Sequence, residues 1–220
     1  MSARAPFVLV ALLVVLARPV APSAQRGPEA PTGQELKSGV TLEIGDGSKA
    51  NYRVREQLAG ISFPNDAVGS TPAITGKLVL DETGTLVVGA SRISVDLTTL
   101  TSDQDQRDRY IRGPRGLDTD RFPTAEFIPR RAVGLPWPFP SQPPAQAGFQ
   151  LVGDMTVYGS THEVTWNVIA TFNPQLVAGR AETSFTFAQF GIPKPSLARL
   201  LSVDDTIRLE AELRLKRLPR

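Results

Sequence analysis

The sequence predicts an all-β fold, a closed antiparallel barrel of about eight strands with two short helices. Three observations predict it. Residues 206–216, TIRLEAELRLK, alternate without a break: Ile207, Leu209, Ala211, Leu213 and Leu215 on one parity, Thr206, Arg208, Glu210, Glu212, Arg214 and Lys216 on the other. Period 2 gives a strand with one dry face and one wet face. At ~3.3 Å per residue this strand spans roughly 36 Å, nearly twice the usual length, and it needs long neighbours. Alternating runs recur along the chain between turn residues, and only two short stretches read as helix.

The elements follow in order. Val40, Leu42 and Ile44 alternate up to a Gly-Asp-Gly turn at 45–47, and Ala50, Tyr52 and Val54 continue with Lys49, Asn51, Arg53 and Arg55 outward. Residues 59–73 show a looser pattern. Ile74, Gly76, Leu78 and Leu80 form a strand that ends in the turn Asp81 to Gly84. Leu86 to Leu97 reads as one long strand whose phase changes near Gly89, as at a bulge. Ser102 or Asp103 caps a short helix that stops at Gly113-Pro114. Ala125 and Phe127 resume the inward parity. The segment 134–147 carries Pro136, Pro138, Pro140, Pro143 and Pro144, which makes a stiff, extended loop and excludes a central strand. Phe149 to Val157 and Val164 to Phe172 form a hairpin around Gly159. Leu176 to Phe187 is a further strand, Pro195-Ser196 opens a second short helix through Leu201, and the long terminal strand closes the set.

The ends and the composition bound the function. Arg4, the apolar run Phe7 to Ala17 and the small residues Ala21, Ser23 and Ala24 read as a secretory signal peptide over residues 1–24, cut near Ala24. The run is too short for a bilayer core of about 30 Å. The expected location is therefore the periplasm or the exterior. Residues 25–39 read as a linker, and residues 40–217 as one barrel domain. Lys+Arg exceed Asp+Glu by 24 to 22, and the excess, Arg4 and Arg18, lies in the leader. A near-neutral mature chain carries no nucleic-acid footprint. With no cysteine there is neither a disulfide scaffold nor a lipoprotein anchor. An oligomer is compatible with the sequence.

Catalytic and metal-binding constellations are scarce. The one histidine, His162, sits beside a hairpin turn, and no serine stands in a nucleophile-elbow context. Asp103 and Asp105 begin like a calcium loop, but Asp108 stands where such a loop needs Gly and Pro114 where it needs Glu. No Gly-rich phosphate loop precedes a helix. No enzymatic activity, metal or cofactor is expected. What remains is apolar surface: Phe149, Met155, Trp166, Phe172, Phe185 and Phe187 all fall on inward parities. Eight strands enclose an interior that side chains fill or that holds one small ligand, and periodicity does not choose between these.

Four ordered stretches carry a family resemblance. They are Gly76-Lys77-Leu78-Val79-Leu80-Asp81 with Gly84; Ile93 to Leu100 leading to Arg107-Asp108, Leu117-Asp118 and Phe122-Pro123-Thr124-Ala125-Glu126-Phe127; Leu151 to Val164; and Phe190-Gly191-Ile192. Together they resemble the YceI-like family of exported polyisoprenoid-binding proteins. The resemblance implies a lipocalin-like barrel, a pore that holds an isoprenoid chain such as a quinone tail, and a periplasmic, non-catalytic role. The Pro-rich insertion and residues 59–73 depart from the family pattern.

Strand parity, and not the resemblance, supplies the candidate lumen: Leu78, Ile93, Val95, Phe127, Met155, Trp166, Val168, Phe172, Phe185, Leu209 and Leu213. Ten buried CH2 groups at about 0.8 kcal/mol each give roughly 8 kcal/mol, near micromolar affinity before ordering costs. Trp137 and Phe139, alternating with prolines, leave two readings open: rings packed on the barrel's outer wall in an inert loop, or a lip at the pore mouth that makes transient contact with a membrane surface. The alternative is a filled barrel that serves as a stress-related or protein-interaction module.

Overall fold

The computed structural model describes residues 39–60, 62–140, 145–198 and 200–218. The leader and nearly all of the linker read from the sequence lie outside these residues. The strands are β1 (Val40–Ile44), β2 (Lys49–Leu58), β3 (Asn65–Thr71), β4 (Ile74–Leu80), β5 (Arg92–Asp96), β6 (Thr101–Ser102), β7 (Thr124–Val133), β8 (Ala145–Val157), β9 (Ser160–Phe172), β10 (Leu176–Thr186) and β11 (Leu200–Arg217), with one helix, α1 (Asp105–Arg112). Eight strands form a closed antiparallel circuit, β1-β4-β5-β7-β8-β9-β10-β11 and back to β1. The remaining three branch from β11 in the order β2-β3-β6.

β11 closes the barrel because of its length. One edge pairs with β10 from Leu176↔Lys216 to Thr186↔Thr206. The other edge is shared: Leu200 to Glu212 face β2, and Leu215 to Arg217 face β1. Closure satisfies the backbone groups that an open edge strand leaves unpaired. The inward parity of β11 is as expected, with Ile207, Ala211 and Leu215 buried.

The chain departs from its sequence pattern at three places, each for a physical reason. The expected bulged strand Leu86 to Leu97 is instead a 3-10 turn, Val88–Ala90, followed by β5. Buried Ser91 breaks the ladder: its Oγ accepts from Val79 N–H at 2.9 Å and donates to Val79 C=O, so a side chain takes the place of a strand partner. The expected second helix, Pro195 to Leu201, does not form. Leu200 instead starts β11 by pairing with Leu58, which takes the end of the expected helix into the sheet. The loose stretch 59–73 contains β3, whose Asn65, Asp66 and Gly69 have poor strand propensity. Seven paired residues on β2, from Glu56↔Asn65 to Ala50↔Thr71, hold it. β8 also begins earlier than expected, at Ala145, inside the Pro-rich segment.

α1 follows β6 directly. Asp105 and Asp108 stand in its first turn and Arg109 and Arg112 in its last, in line with the helix dipole. Buried Asp108 accepts from Ser102 N at 2.8 Å and Ser102 Oγ at 2.6 Å, which ties the helix to β6. No helix among the described residues is long and apolar enough to cross a membrane.

Candidate functional site

The two ends of the barrel differ. At the end where β9 turns into β10, Phe172, Leu80, Leu42 and Leu215 pack tightly, and Phe172 is only 1% exposed. A residual void of about 40 Å³ is left there. At the other end, where α1 and residues 192–198 lie, a cavity of about 840 Å³ opens. Its inner wall is Ile93, Val95, Phe127, Met155, Trp166, Phe185, Leu209 and Leu213, and its rim is Gln104, Gln106, Arg109, Tyr110, Arg115 and Leu197. Leu151, Ala181 and Leu213 line both spaces, so the large cavity reaches down to the packed end.

Small side chains in register make the space. Ala181 faces Ala211, and Ala211 faces Ala50, across β10, β11 and β2. Directly opposed residues of antiparallel strands share a face, so three methyl groups stand in a row where longer side chains would meet. All three line the cavity. On the next strand Gly69 accepts the ring of Tyr52; a Cβ at Gly69 would lie 2.2 Å from it.

A void of this size has an energetic consequence. At about 24 cal/mol per Å³, an empty, dry cavity would cost on the order of 20 kcal/mol. That exceeds the ~5–15 kcal/mol by which a whole domain is stable. A space of this size is therefore not a dry void of a closed core; it is open to solvent at the mouth. Its inner wall offers water few partners.

The sequence-derived lumen residues divide accordingly. Ile93, Val95, Phe127, Met155, Trp166, Phe185, Leu209 and Leu213 line the large cavity. Leu78, Val168 and Phe172 line the small void at the packed end. Trp137 and Phe139 also stand at that end, away from the opening. Phe139 lies 5.0 Å from the Phe172 ring and 5.1 Å from Trp137, centroid to centroid. Trp137 Nε1 donates to Glu82 C=O at 3.0 Å, and its ring lies over Gly84, whose φ of +82° and missing Cβ leave room for it. The Pro-rich loop thus caps the packed end, which a lip at the mouth would not do.

Sequence reasoning missed the mouth. Leu97, Leu100, Tyr110, Ile111, Leu117, Ile192 and Leu197 also line the cavity, and the signal for some of them was the apolar pair Tyr110-Ile111 in a charged helix. Arg107, on the same wall, pairs with Glu56 at 2.9 Å, both largely buried, and also with Asp103. Burial pushes the Tyr52 hydroxyl well above its ordinary range; Arg107 opposes this, while Asp108, Glu56 and Asp103 add to it. The hydroxyl stays a neutral phenol. His162 is exposed, with its ring edge-on to Phe190 at 4.9 Å. Among the described residues no group of three His, Asp or Glu side chains is placed to hold a metal ion.

The comparisons with known proteins agree with this architecture. The family model described as the YceI-like domain matches residues 45–215. The chain belongs to the YceI-like family. Curated relatives include UPF0312 proteins of Pseudomonas putida; that of strain GB-1 is 29% identical over 129 residues, 54% of this chain and 62% of the relative. The match thus spans less than two thirds of the relative's length. Among solved structures, a polyisoprenoid-binding domain from Saccharophagus degradans aligns with a TM-score of 0.63 at 10% identity, covering 81% of this chain and 98% of that one. Burkholderia cenocepacia BcnA aligns with a TM-score of 0.57 at 15% identity, covering 76% and 95%. A Campylobacter jejuni YceI protein gives 0.57 at 9%, covering 74% and 91%. At these identities the likeness is one of fold.

Proposed function

We propose that this YceI-like barrel is a non-catalytic binding protein for an amphiphilic lipid, a polyisoprenoid or isoprenoid-quinone chain held in the lumen. The observation that carries the reading is the apolar cavity of about 840 Å³, open at one end and tightly packed at the other. Its volume lies toward the upper end of the ~300–1,000 Å³ typical of ligand pockets. The aliphatic and aromatic wall rewards any flexible hydrocarbon at about 0.8 kcal/mol per CH2 and offers little discrimination along the chain. The Saccharophagus neighbour, described as polyisoprenoid-binding, supports the same ligand class. The alternative, a filled barrel, fits only the packed end. The leader read from residues 1–24 supports export to the periplasm.

Fluorescence titration tests the binding. A Trp137→Phe background leaves Trp166, on the cavity wall, as the sole indole reporter. Adding a long-chain prenol or quinone should shift its emission saturably. No response at micromolar ligand, together with an unchanged melting temperature, contradicts the reading.

A further inference from the structure

We propose that the mouth selects a lipid with an anionic head, and that Arg109 and Arg115 hold a phosphate-type group while the hydrocarbon tail fills the lumen. This rests on the lumen reading above and adds the head-group class to it. The tail's direction follows from the barrel. The end where Phe172 and Phe139 meet is packed and leaves a void of only about 40 Å³, so an amphiphile enters tail first past α1 and leaves its polar end at the rim.

Charge compensation at the rim is uneven. Deeper charges are already matched: Arg107 by Glu56 and Asp103, Glu126 by Arg92, Glu210 by Arg53 and Arg180. Three arginines within seven residues, Arg109, Arg112 and Arg115, make no carboxylate pair among the described residues. Arg112 donates to Thr98 C=O, and Arg115 lies 5.8 Å from the Tyr110 ring, a contact that steadies the guanidinium and leaves its charge uncompensated. Asp105, one helical turn before Arg109, does not pair with it. Arg109 and Arg115 both border the opening and are exposed. The rim therefore presents an uncompensated positive charge next to the point where a head group emerges. Guanidinium groups bind phosphate oxygens bidentately through charge-assisted hydrogen bonds. A neutral head gains none of this.

The experiment compares undecaprenyl phosphate with undecaprenol, each delivered in the same neutral detergent, on the parent and on Arg109→Glu/Arg115→Glu. The parent should bind the phosphate roughly tenfold or more tightly than the alcohol, the low end for charge-assisted hydrogen bonds. The double variant should bring that ratio to one or below, and 1 M salt should shrink it in the parent, because the screening length falls from about 10 Å to about 3 Å. Vesicles of phosphatidylglycerol without prenyl lipid, and inorganic phosphate alone, separate other sources of the same chemistry. Co-sedimentation with the vesicles, or stabilisation by free phosphate, that the double variant abolishes, with alcohol and phosphate bound alike by the parent, would assign the arginines elsewhere and overturn the proposal. Equal affinities with no vesicle effect also overturn it while leaving the lumen reading intact. Binding of neither lipid removes both.

Discussion

Ala211→Phe separates an open lumen from a filled one, because the two give opposite signs in one assay. Ala211 is the middle of the alanine row, with Ala181 on one side and Ala50 on the other, and all three border the cavity. A phenyl ring placed there has methyl groups for lateral neighbours and open space ahead. Burying a Phe side chain is worth about 1.5–3 kcal/mol, so the lipid-free protein should gain roughly 2 kcal/mol. For a domain of 150–250 residues that raises Tm by about 4–8 °C. The ring also takes the place of about six tail carbons. At about 0.8 kcal/mol each the ligand loses up to roughly 5 kcal/mol, and at least a hundredfold in affinity even if the tail shifts outward. The assay is thermal unfolding of delipidated protein beside the Trp166 titration. If the barrel were already filled, the ring would overpack it at a cost of about 1–3 kcal/mol. A lower Tm with prenol affinity unchanged would refute the reasoning.

Three further predictions concern the surroundings. Glu56→Gln leaves Arg107 without its largely buried partner and should cost roughly 2 kcal/mol by chemical denaturation, discounted because Asp103 stays in reach; the loss should be much smaller on an Arg107→Ala background. Ser91→Ala strips the buried bonds to Val79 N–H and C=O and should cost about 1–3 kcal/mol, whereas Ser91→Thr, if it folds, should keep more of that stability. Trp137→Ser/Phe139→Ser should lower Tm by uncovering Phe172, and prenyl-lipid transfer from liposomes should stay within about threefold of the parent, since both rings stand at the packed end. A tenfold slower transfer would put them back at the mouth.

Much of this was legible in the sequence where one face of a strand is dry. The parities of β5, β7, β9, β10 and β11 put Ile93, Val95, Phe127, Trp166, Phe185, Leu209 and Leu213 on one face, and these residues line the cavity. Parity says which face a residue takes and nothing of its depth. Val168 and Phe172 share a parity with Trp166, yet line the small void at the packed end. Depth is set by register with distant strands, as is the choice of end for the Trp137 loop. β3 was hidden for a related reason: Asn65 and Asp66 have no strand preference, and pairing with β2 orders them. Ser91 was invisible because a side chain that replaces a ladder partner leaves no periodic trace. The alanine row was visible as Ala50, Ala181 and Ala211, but its meaning required the pairing that sets them side by side.

The most direct measurement is native mass spectrometry of the protein purified from its own host without added lipid, followed by organic extraction of the same sample. The expected result is a polypeptide that begins near Gln25, carrying one prenyl lipid per chain that is released on extraction. A stably folded protein of the same mass with no adduct and no extractable lipid would contradict it.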